Sequence, residues 1–71
     1  SDENRLMVVA ECEDMERAKE LSTTLERSGI NTMIVEKSSP IYIKGSDAPI
    51  QIQTRNKDCK AAKEILSKDS N

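Results

Sequence analysis

The chain has 71 residues, of which 35% are hydrophobic and 34% charged, and its formal net charge is −2 at pH 7. A chain of this length makes one small domain with a thin core, and the absence of Trp and Phe makes that core aliphatic. The charge balance supplies no basic surface for nucleic acid, and no apolar run approaches the roughly 20 residues of a membrane span, so neither nucleic-acid binding nor membrane insertion is expected.

The composition also limits the chemistry that the chain can perform. Two cysteines at no metal-binding spacing, and no histidine, exclude His-ligated zinc, His-based acid–base catalysis and Cys–His or Ser–His nucleophilic pairs. Two cysteines are too few for a disulfide framework, which favours a reducing compartment such as the cytoplasm. We expect one domain over residues 1–71, ordered at about 5–67 with polar tails, either whole or cut from a longer protein, with no cofactor and no metal.

The first half of the chain predicts a strand followed by a helix. Residues 5–10 are apolar on both faces, as the residues of an inner strand are. Residues 15–28 place Met, Ala, Leu, Ser and Leu at three- and four-residue spacings, which makes one buried stripe on a helix. Asp14 is the predicted N-cap, and Gly29 is expected to end the helix in the left-handed conformation, with Ile30 packing back on the last turn.

The second half predicts two or three strands and another helix. Residues 31–37 are rich in β-branched side chains and predict a strand. A short extended piece at 41–44 precedes a turn and can pair as a hairpin with 50–55, where apolar and polar residues alternate. The second helix is expected at 59–67, with Asp58 as its N-cap and a polar tail behind it.

The two halves repeat each other. The segment DMERAKEL, which starts at Asp14, matches DCKAAKEI, which starts at Asp58, and the strands before them match at the same offset. A duplicated strand–helix unit with an extra strand between the copies predicts an α+β, ferredoxin-like (split βαβ) sandwich with the order βαββα, two helices on one face of a three- or four-stranded sheet. The complete fold has one further strand beside the first, so we expect the edge of 5–10 to be unpaired and open to a partner strand.

The sheet face away from the helices is the predicted interaction surface. On an alternating strand, Met7 and Val9 point to this open face. The second strand contributes Ile34 or, in the other register, its neighbours Met33 and Val35. Tyr42, the single aromatic residue, joins them. A one-sided sheet rarely leaves such residues bare to water, so we predict that a protein partner or a second copy of the chain covers them.

The two cysteines have competing interpretations. Cys59 follows the predicted cap of the second helix and precedes a lysine, an environment that favours a reactive thiolate. As the counterpart of Met15 in the first half, it is instead a core residue, and this is the interpretation we adopt. If the strands 5–10 and 50–55 were parallel neighbours, a Cys12–Cys59 disulfide would be within geometric reach in an oxidising compartment. No catalytic residue is predicted, and the chain is not expected to be an enzyme.

Two further clusters receive structural interpretations. The acidic side chains of the first turn region stabilise the helix N-terminus and lack the spacing and turn glycine of a calcium loop. They are Glu11, Glu13, Asp14 and Glu16. The segment 44–49 leads into a strand rather than a helix, so it is an ordinary turn and not a phosphate-binding loop.

Over about residues 6–66 the chain resembles a bacterial family of short βαββα proteins described as signal-transducing and of unknown function. The resemblance lies in DMERAKELSTTLERSGINTMIV, whose helix ends in Leu-x-x-x-Gly-Ile before an immediate strand, and in DCKAAKEIL. It implies a short βαββα fold and transfers no catalytic residue. The unpaired edge at 5–10 and the apolar open face predict a non-enzymatic protein-interaction or regulatory module of the signalling type.

Two other families are similar in pattern. The ring-building motif of secretion and flagellar inner-ring proteins shares the strand, the helix ending before Gly-Ile and the second strand–helix, which would imply side-by-side packing of many copies. The sporulation-related peptidoglycan-binding repeat has the same duplicated halves. It carries Gly and aromatic residues after its strands, where this chain has ECED and TRNKD. A ring-building domain and a small-ligand or peptidoglycan-binding domain are therefore the alternatives to the interaction module.

Overall fold

The fold is α+β, as predicted. The structure is a computed structural model that describes residues 2–69. It contains a short 3-10 helix at Asp2–Asn4, β1 (Leu6–Cys12), α1 (Met15–Arg27), β2 (Met33–Glu36), β3 (Ile50–Arg55) and α2 (Asn56–Asp69). The three strands form one antiparallel sheet, and the strand predicted at 41–44 is not among them.

The bounds of α1 follow from its two caps. Asp14 has an extended backbone with φ −140°, and its side chain accepts a hydrogen bond of 2.8 Å from the Arg17 N–H. At the other end Gly29 adopts φ +84°, and the N–H of Ile30 donates to the Leu25 carbonyl at 3.0 Å. This pair of features is the Schellman arrangement that a left-handed glycine permits. Both predicted caps are confirmed, and the helix ends one residue earlier than predicted.

The middle strand of the sheet is β3, with β1 on one side and β2 on the other. Both neighbours run antiparallel to β3, so β1 and β2 are parallel to each other and α1 connects them. Cys12 lies opposite Ile50, while α2 begins at the other end of β3. The parallel pairing on which a Cys12–Cys59 bridge depended is therefore wrong, and both cysteines are free thiols.

An aliphatic core lies between both helices and one face of the sheet. Its buried members are Cys12, Ala18, Leu21, Leu25, Ile30, Ile50, Ile52 and Ala62. Six half-buried residues pack against them: Val9, Ala10, Met15, Ile34, Ile65 and Leu66. We call the surface of the sheet that carries Ile50 and Ile52 the helix face, and the opposite surface the loop face.

A β-bulge in β1 overturns the predicted faces of its residues. The register shifts between Val8 and Ala10, so one extra residue, Val9, interrupts the two-residue alternation. Val9 packs against the core, and Met7 lies opposite Thr54, on the helix face. The prediction that Met7 and Val9 lie on the open face is wrong, because it assumed an unbroken strand.

The same correction applies to β2. Ile34 lies opposite Ile52 and packs against the helix-face core, so its predicted place on the open face is also wrong. Its neighbours Met33 and Val35, opposite Gln53 and Gln51, occupy the loop face. The alternative register considered for this strand is therefore the one that the chain adopts.

The second helix begins earlier than predicted. It starts at Asn56, directly after β3, so Asp58 lies in the first turn and is not the cap residue. The Asn56 N–H donates to the Arg5 carbonyl at 2.7 Å, and the Asp58 carboxylate lies 3.7 Å from the Arg55 guanidinium. A main-chain acceptor beside β3 thus replaces the side-chain cap that the sequence repeat suggested. Cys59 is consequently the fourth residue of the helix and half-buried.

Adjacent alanines in α2 test this packing. Ala62 is fully buried in the core, whereas Ala61 is exposed. We expect Ala62→Leu to lower the free energy of unfolding by about 1–3 kcal/mol, because extra methylenes force a packed core to shift. Ala61→Leu should change it by less than about 0.5 kcal/mol, since Leu and Ala have similar helix propensities. Urea unfolding measures both, and equal effects would contradict the orientation of α2.

Candidate functional site

The connection between β2 and β3, residues 37–49, folds over the loop face of the sheet. Its ends meet, because Glu36 lies opposite Ile50 and the Lys37 N–H donates to the Pro49 carbonyl at 3.0 Å. Buried side chains lie beneath it on β2 and β3, and Ala48 of the connection is itself buried. We call residues 37–49 the cover loop. The face that was predicted to be open is thus partly occupied by the chain itself.

The side chain of Gln51 holds the cover loop by two hydrogen bonds to a single residue. Its Oε1 accepts from the Ile43 N–H at 3.0 Å, and its Nε2 donates to the Ile43 carbonyl at 2.7 Å. A carboxamide offers one acceptor and N–H donors side by side, as a peptide unit does. The predicted extended piece at 41–44 is therefore paired with side chains of β3 rather than with a strand, which explains why it is no part of the sheet.

Gln53 repeats this arrangement but leaves it incomplete. Its Nε2 donates to the Ile41 carbonyl at 2.9 Å and to Gln51 Oε1 at 3.0 Å. The N–H of Ile41 donates instead to Ser39 Oγ at 3.2 Å. Gln53 Oε1 is buried and has no hydrogen-bond partner among residues 2–69. We call the Gln51 and Gln53 side chains together the amide clamp.

Burial makes the amide clamp energetically demanding. Gln51 is 1% exposed and Gln53 is 0% exposed. A buried amide without partners costs roughly 1–3 kcal/mol by mutational measures, so the two side chains depend on the main chain of the cover loop for their hydrogen bonds. The loop in turn has no strand ladder of its own. Each therefore stabilises the other.

Tyr42 anchors the cover loop from within. The residue is half-buried, and its hydroxyl lies 2.6 Å from the Ala48 carbonyl oxygen and 3.2 Å from that of Ser46. Ser46 Oγ also accepts from the Ala48 N–H at 3.0 Å. Tyr42 was predicted as an interaction residue of a sheet strand. The structure places it in the loop, with its polar end turned toward the loop's own backbone.

Three large apolar side chains remain exposed on this side of the molecule. Met33 is 46% exposed, and Ile41 and Ile43 are each 40% exposed. They are neighbours through the amide clamp, since Met33 lies opposite Gln53 and the two isoleucines are the residues that the clamp holds. Exposed apolar side chains that cluster mark a contact surface more often than isolated ones do.

A second exposed feature is the outer edge of β1. Among the described residues this strand pairs with β3 alone and has no neighbour on its other side. Leu6 and Val8, opposite Arg55 and Gln53, lie half-buried on the loop face. The predicted unpaired edge is thus present, and the apolar residues beside it are Leu6 and Val8 rather than Met7 and Val9.

The two thiols differ in environment. Cys12 is 3% exposed, and its burial raises the pKa of the thiol above the ordinary value of 9.0. The charge of Arg17 opposes this increase in pKa and that of Asp14 adds to it. A raised pKa lowers the thiolate fraction at neutral pH, which makes Cys12 a poor nucleophile. Cys59 is half-buried and does not belong to the buried core cluster.

The charged clusters of the described residues form no metal or ligand site. Within residues 2–69, no three His, Cys, Asp or Glu side chains are placed to hold one metal ion. The four acidic residues around the start of α1 are exposed. A groove of about 660 Å³ along the solvent side of α1 is lined by an even mixture of acidic and basic side chains and two threonines. Such a lining is that of a solvated helix surface.

Comparison with protein-family models finds no match for this chain. Comparisons with curated proteins and with solved structures also find none. Within the described part of the chain, neither α-helix has the length and apolar character needed to cross a bilayer. The features of this chain that indicate a function are therefore the amide clamp, the exposed apolar residues and the β1 edge.

Paired glutamine variants test the amide clamp. We expect Gln51→Met to accelerate hydrogen exchange at the Ile43 N–H by about tenfold, because that amide loses its acceptor while the apolar volume is kept. Gln53→Met removes the neighbouring carboxamide but leaves that acceptor in place, so the Ile43 rate should change by less than about threefold. Exchange followed by NMR gives both rates. An Ile43 amide that is unprotected in the wild type would contradict the clamp.

Proposed function

We propose that this chain is a non-enzymatic protein-interaction or regulatory module of the signalling type, and that it acts by presenting the β1 edge to a partner strand. The observation that carries the proposal is the outer edge of β1, which is seven residues long, has no proline and has no strand beside it in the described part of the chain. An incoming strand gains main-chain hydrogen bonds along such an edge, and the adjacent side chains provide specificity.

We further propose that residues 2–69 form the first five elements, βαββα, of a ferredoxin-like, split βαβ arrangement. The order β1-β3-β2 and the two strand–helix halves support this assignment. In the complete fold a fourth strand lies beside the first. Among residues 2–69 no strand occupies that position, and a strand from another molecule can pair there.

A binding role also suits the chemistry of the side chains better than catalysis does. The chain has no histidine, and burial raises the pKa of the Cys12 thiol. General acid–base or nucleophilic catalysis at neutral pH needs a group whose pKa lies close to 7 or is shifted toward it. We therefore propose no catalytic residue.

The partner that we propose for the β1 edge is a second copy of the chain. Two copies can pair the same strand about a twofold axis, so that one self-complementary edge suffices. Pairing would join two three-stranded sheets into one continuous sheet and would cover Leu6 and Val8, which lie half-buried beside the edge. A domain of 71 residues has a small core, and added apolar burial stabilises it.

The second candidate is a ring-building arrangement. The sheet has two different outer strands, β1 and β2, so the β1 edge of one copy can also pair with the β2 edge of the next. Such a contact uses two different surfaces and builds rings or open chains instead of dimers. Solution mass separates the two arrangements, because the first stops at two copies and the second does not.

A matched pair of lysine variants tests the twofold pairing. Val8 and Met33 both lie opposite Gln53 on the loop face, one on each outer strand. We expect Val8→Lys to weaken self-association by at least tenfold, because a twofold axis brings the two introduced charges together at the β1 edge. Met33→Lys should leave dimerisation unchanged. Sedimentation velocity from micromolar to millimolar concentration gives the masses.

Circular dichroism accompanies these measurements, so that a variant that fails to fold is recognised. A half-buried lysine can extend its amine to solvent, and we expect Val8→Lys to remain folded. A wild type that is monomeric at millimolar concentration, or two variants that both associate as strongly as the wild type, would contradict twofold pairing through β1. Weakening by Met33→Lys and Val8→Lys alike, with masses above two copies, would favour the ring-building arrangement.

A further inference from the structure

Residues 41–43 lie on the amide clamp in the way that a bound peptide lies on a receptor. Gln51 pairs with both main-chain groups of Ile43, and Gln53 pairs with the carbonyl of Ile41, two residues earlier. Every one of these hydrogen bonds joins a side chain of β3 to main-chain atoms of the loop. The clamp therefore recognises main-chain groups of a segment that leaves a turn, since the Tyr42 N–H donates to the Ser39 carbonyl at 3.1 Å. It makes no hydrogen bond to the side chains of residues 41–43.

The chain's own loop does not satisfy the clamp completely. Gln53 Oε1 is buried without a partner among the described residues, while the Ile41 N–H that corresponds to it donates to Ser39 Oγ. A segment without a serine two residues earlier keeps this N–H available for Gln53 Oε1. It would make four main-chain hydrogen bonds with the two glutamines, where the loop makes three.

The way the cover loop is connected would allow its middle to leave the sheet. Its two ends meet at the paired residues Glu36 and Ile50, so residues between them can move away without breaking the ladder of β2 and β3. The Tyr42 hydroxyl, its strongest internal anchor, bonds to carbonyls of the loop itself and not to the sheet. Displacement of residues 41–43 thus exposes the clamp and leaves the helix-face core untouched.

We propose that the amide clamp is a binding site for a short apolar polypeptide segment of a partner protein, and that residues 41–43 are its built-in occupant. The segment alternates as Ile-Tyr-Ile does, with main-chain groups directed at Gln51 and Gln53. This site is distinct from the β1 edge and goes beyond the proposed self-association. The cover loop is then an intramolecular competitor of the partner segment. The apparent affinity for that segment is the intrinsic affinity multiplied by the fraction of molecules in which the loop is open.

A blocked synthetic peptide, acetyl-Ala-Ile-Tyr-Ile-Lys-amide, tests the proposal on the full chain. It reproduces the seated segment and has Ala in place of Pro, and it lacks the upstream serine. We expect the side-chain NH₂ signals of Gln51 and Gln53 to shift with saturation in an NMR titration. The same peptide with an N-methyl group on its first isoleucine cannot donate to Gln53 Oε1 and should bind about fivefold more weakly.

Two protein variants should change the affinity for the peptide in opposite directions. Tyr42→Phe keeps the ring but removes the loop's hydroxyl anchor, so the loop opens more often and the peptide should bind about fivefold more tightly. Gln53→Met removes half of the clamp and should weaken binding by at least about fivefold. Circular dichroism establishes that both variants are folded.

Two results would overturn the inference. One is the absence of saturable shifts at millimolar peptide in both the wild type and Tyr42→Phe. The other is peptide binding that neither Gln53→Met nor N-methylation weakens, since the peptide would then be bound elsewhere. The titration is carried out at a protein concentration where sedimentation shows a single species. A failure of peptide binding can therefore be distinguished from a failure of self-association.

Discussion

The structure depends on the burial of two carboxamides in the middle of its sheet. The strand β3 has neighbours on both sides and is covered on both faces, yet its second and fourth residues are glutamines. Ile50 and Ile52 need apolar contacts, which the two helices provide. Gln51 and Gln53 need hydrogen-bonding groups, and a helix, whose main-chain groups are already paired, cannot offer them. A loop with free main-chain groups can, so the second face is covered by a loop and not by a third helix.

This constraint also determines which surfaces remain for a partner. The cover loop occupies part of the loop face and turns Ile41 and Ile43 outward, and the other side of the molecule is occupied by α1 and α2. The outer edge of β1 has no strand beside it among residues 2–69 and keeps main-chain groups available. The two proposed binding modes therefore use main-chain recognition, one at the edge of the sheet and one above its centre.

Local signals in the sequence predicted part of this fold correctly. The caps Asp14 and Gly29 define α1 because each acts through its immediate neighbours, and the predicted strand at 50–55 has the observed bounds. The bulge at Val9 carries no such signal, since valine is as common in a regular strand as in an irregular one. One extra residue then reversed the assigned faces of Met7 and Val9.

The candidate site was predicted less well than the fold. Alternation of Ile and Gln in β3 is typical of a strand with one solvated face, and nothing local reveals that the glutamines are buried beneath residues of the preceding loop. A signal was nonetheless present in IYI, an apolar triplet followed by the turn segment that leads to QIQ. The predicted start of α2 was wrong for a similar reason. The acceptor of the Asn56 N–H is the carbonyl of Arg5, which is remote in sequence.

The most direct test of the amide clamp is hydrogen exchange at the side-chain amides. Gln51 and Gln53 are the two glutamines of the chain, and Asn31 supplies an exposed carboxamide in the same spectrum. Donation by Gln51 to Ile43 and by Gln53 to Ile41 predicts NH₂ protons that exchange at least about tenfold more slowly than those of Asn31, with nuclear Overhauser contacts to the two isoleucines. Glutamine NH₂ groups that exchange as fast as that of Asn31, without such contacts, would contradict the amide clamp and the covered face that depends on it.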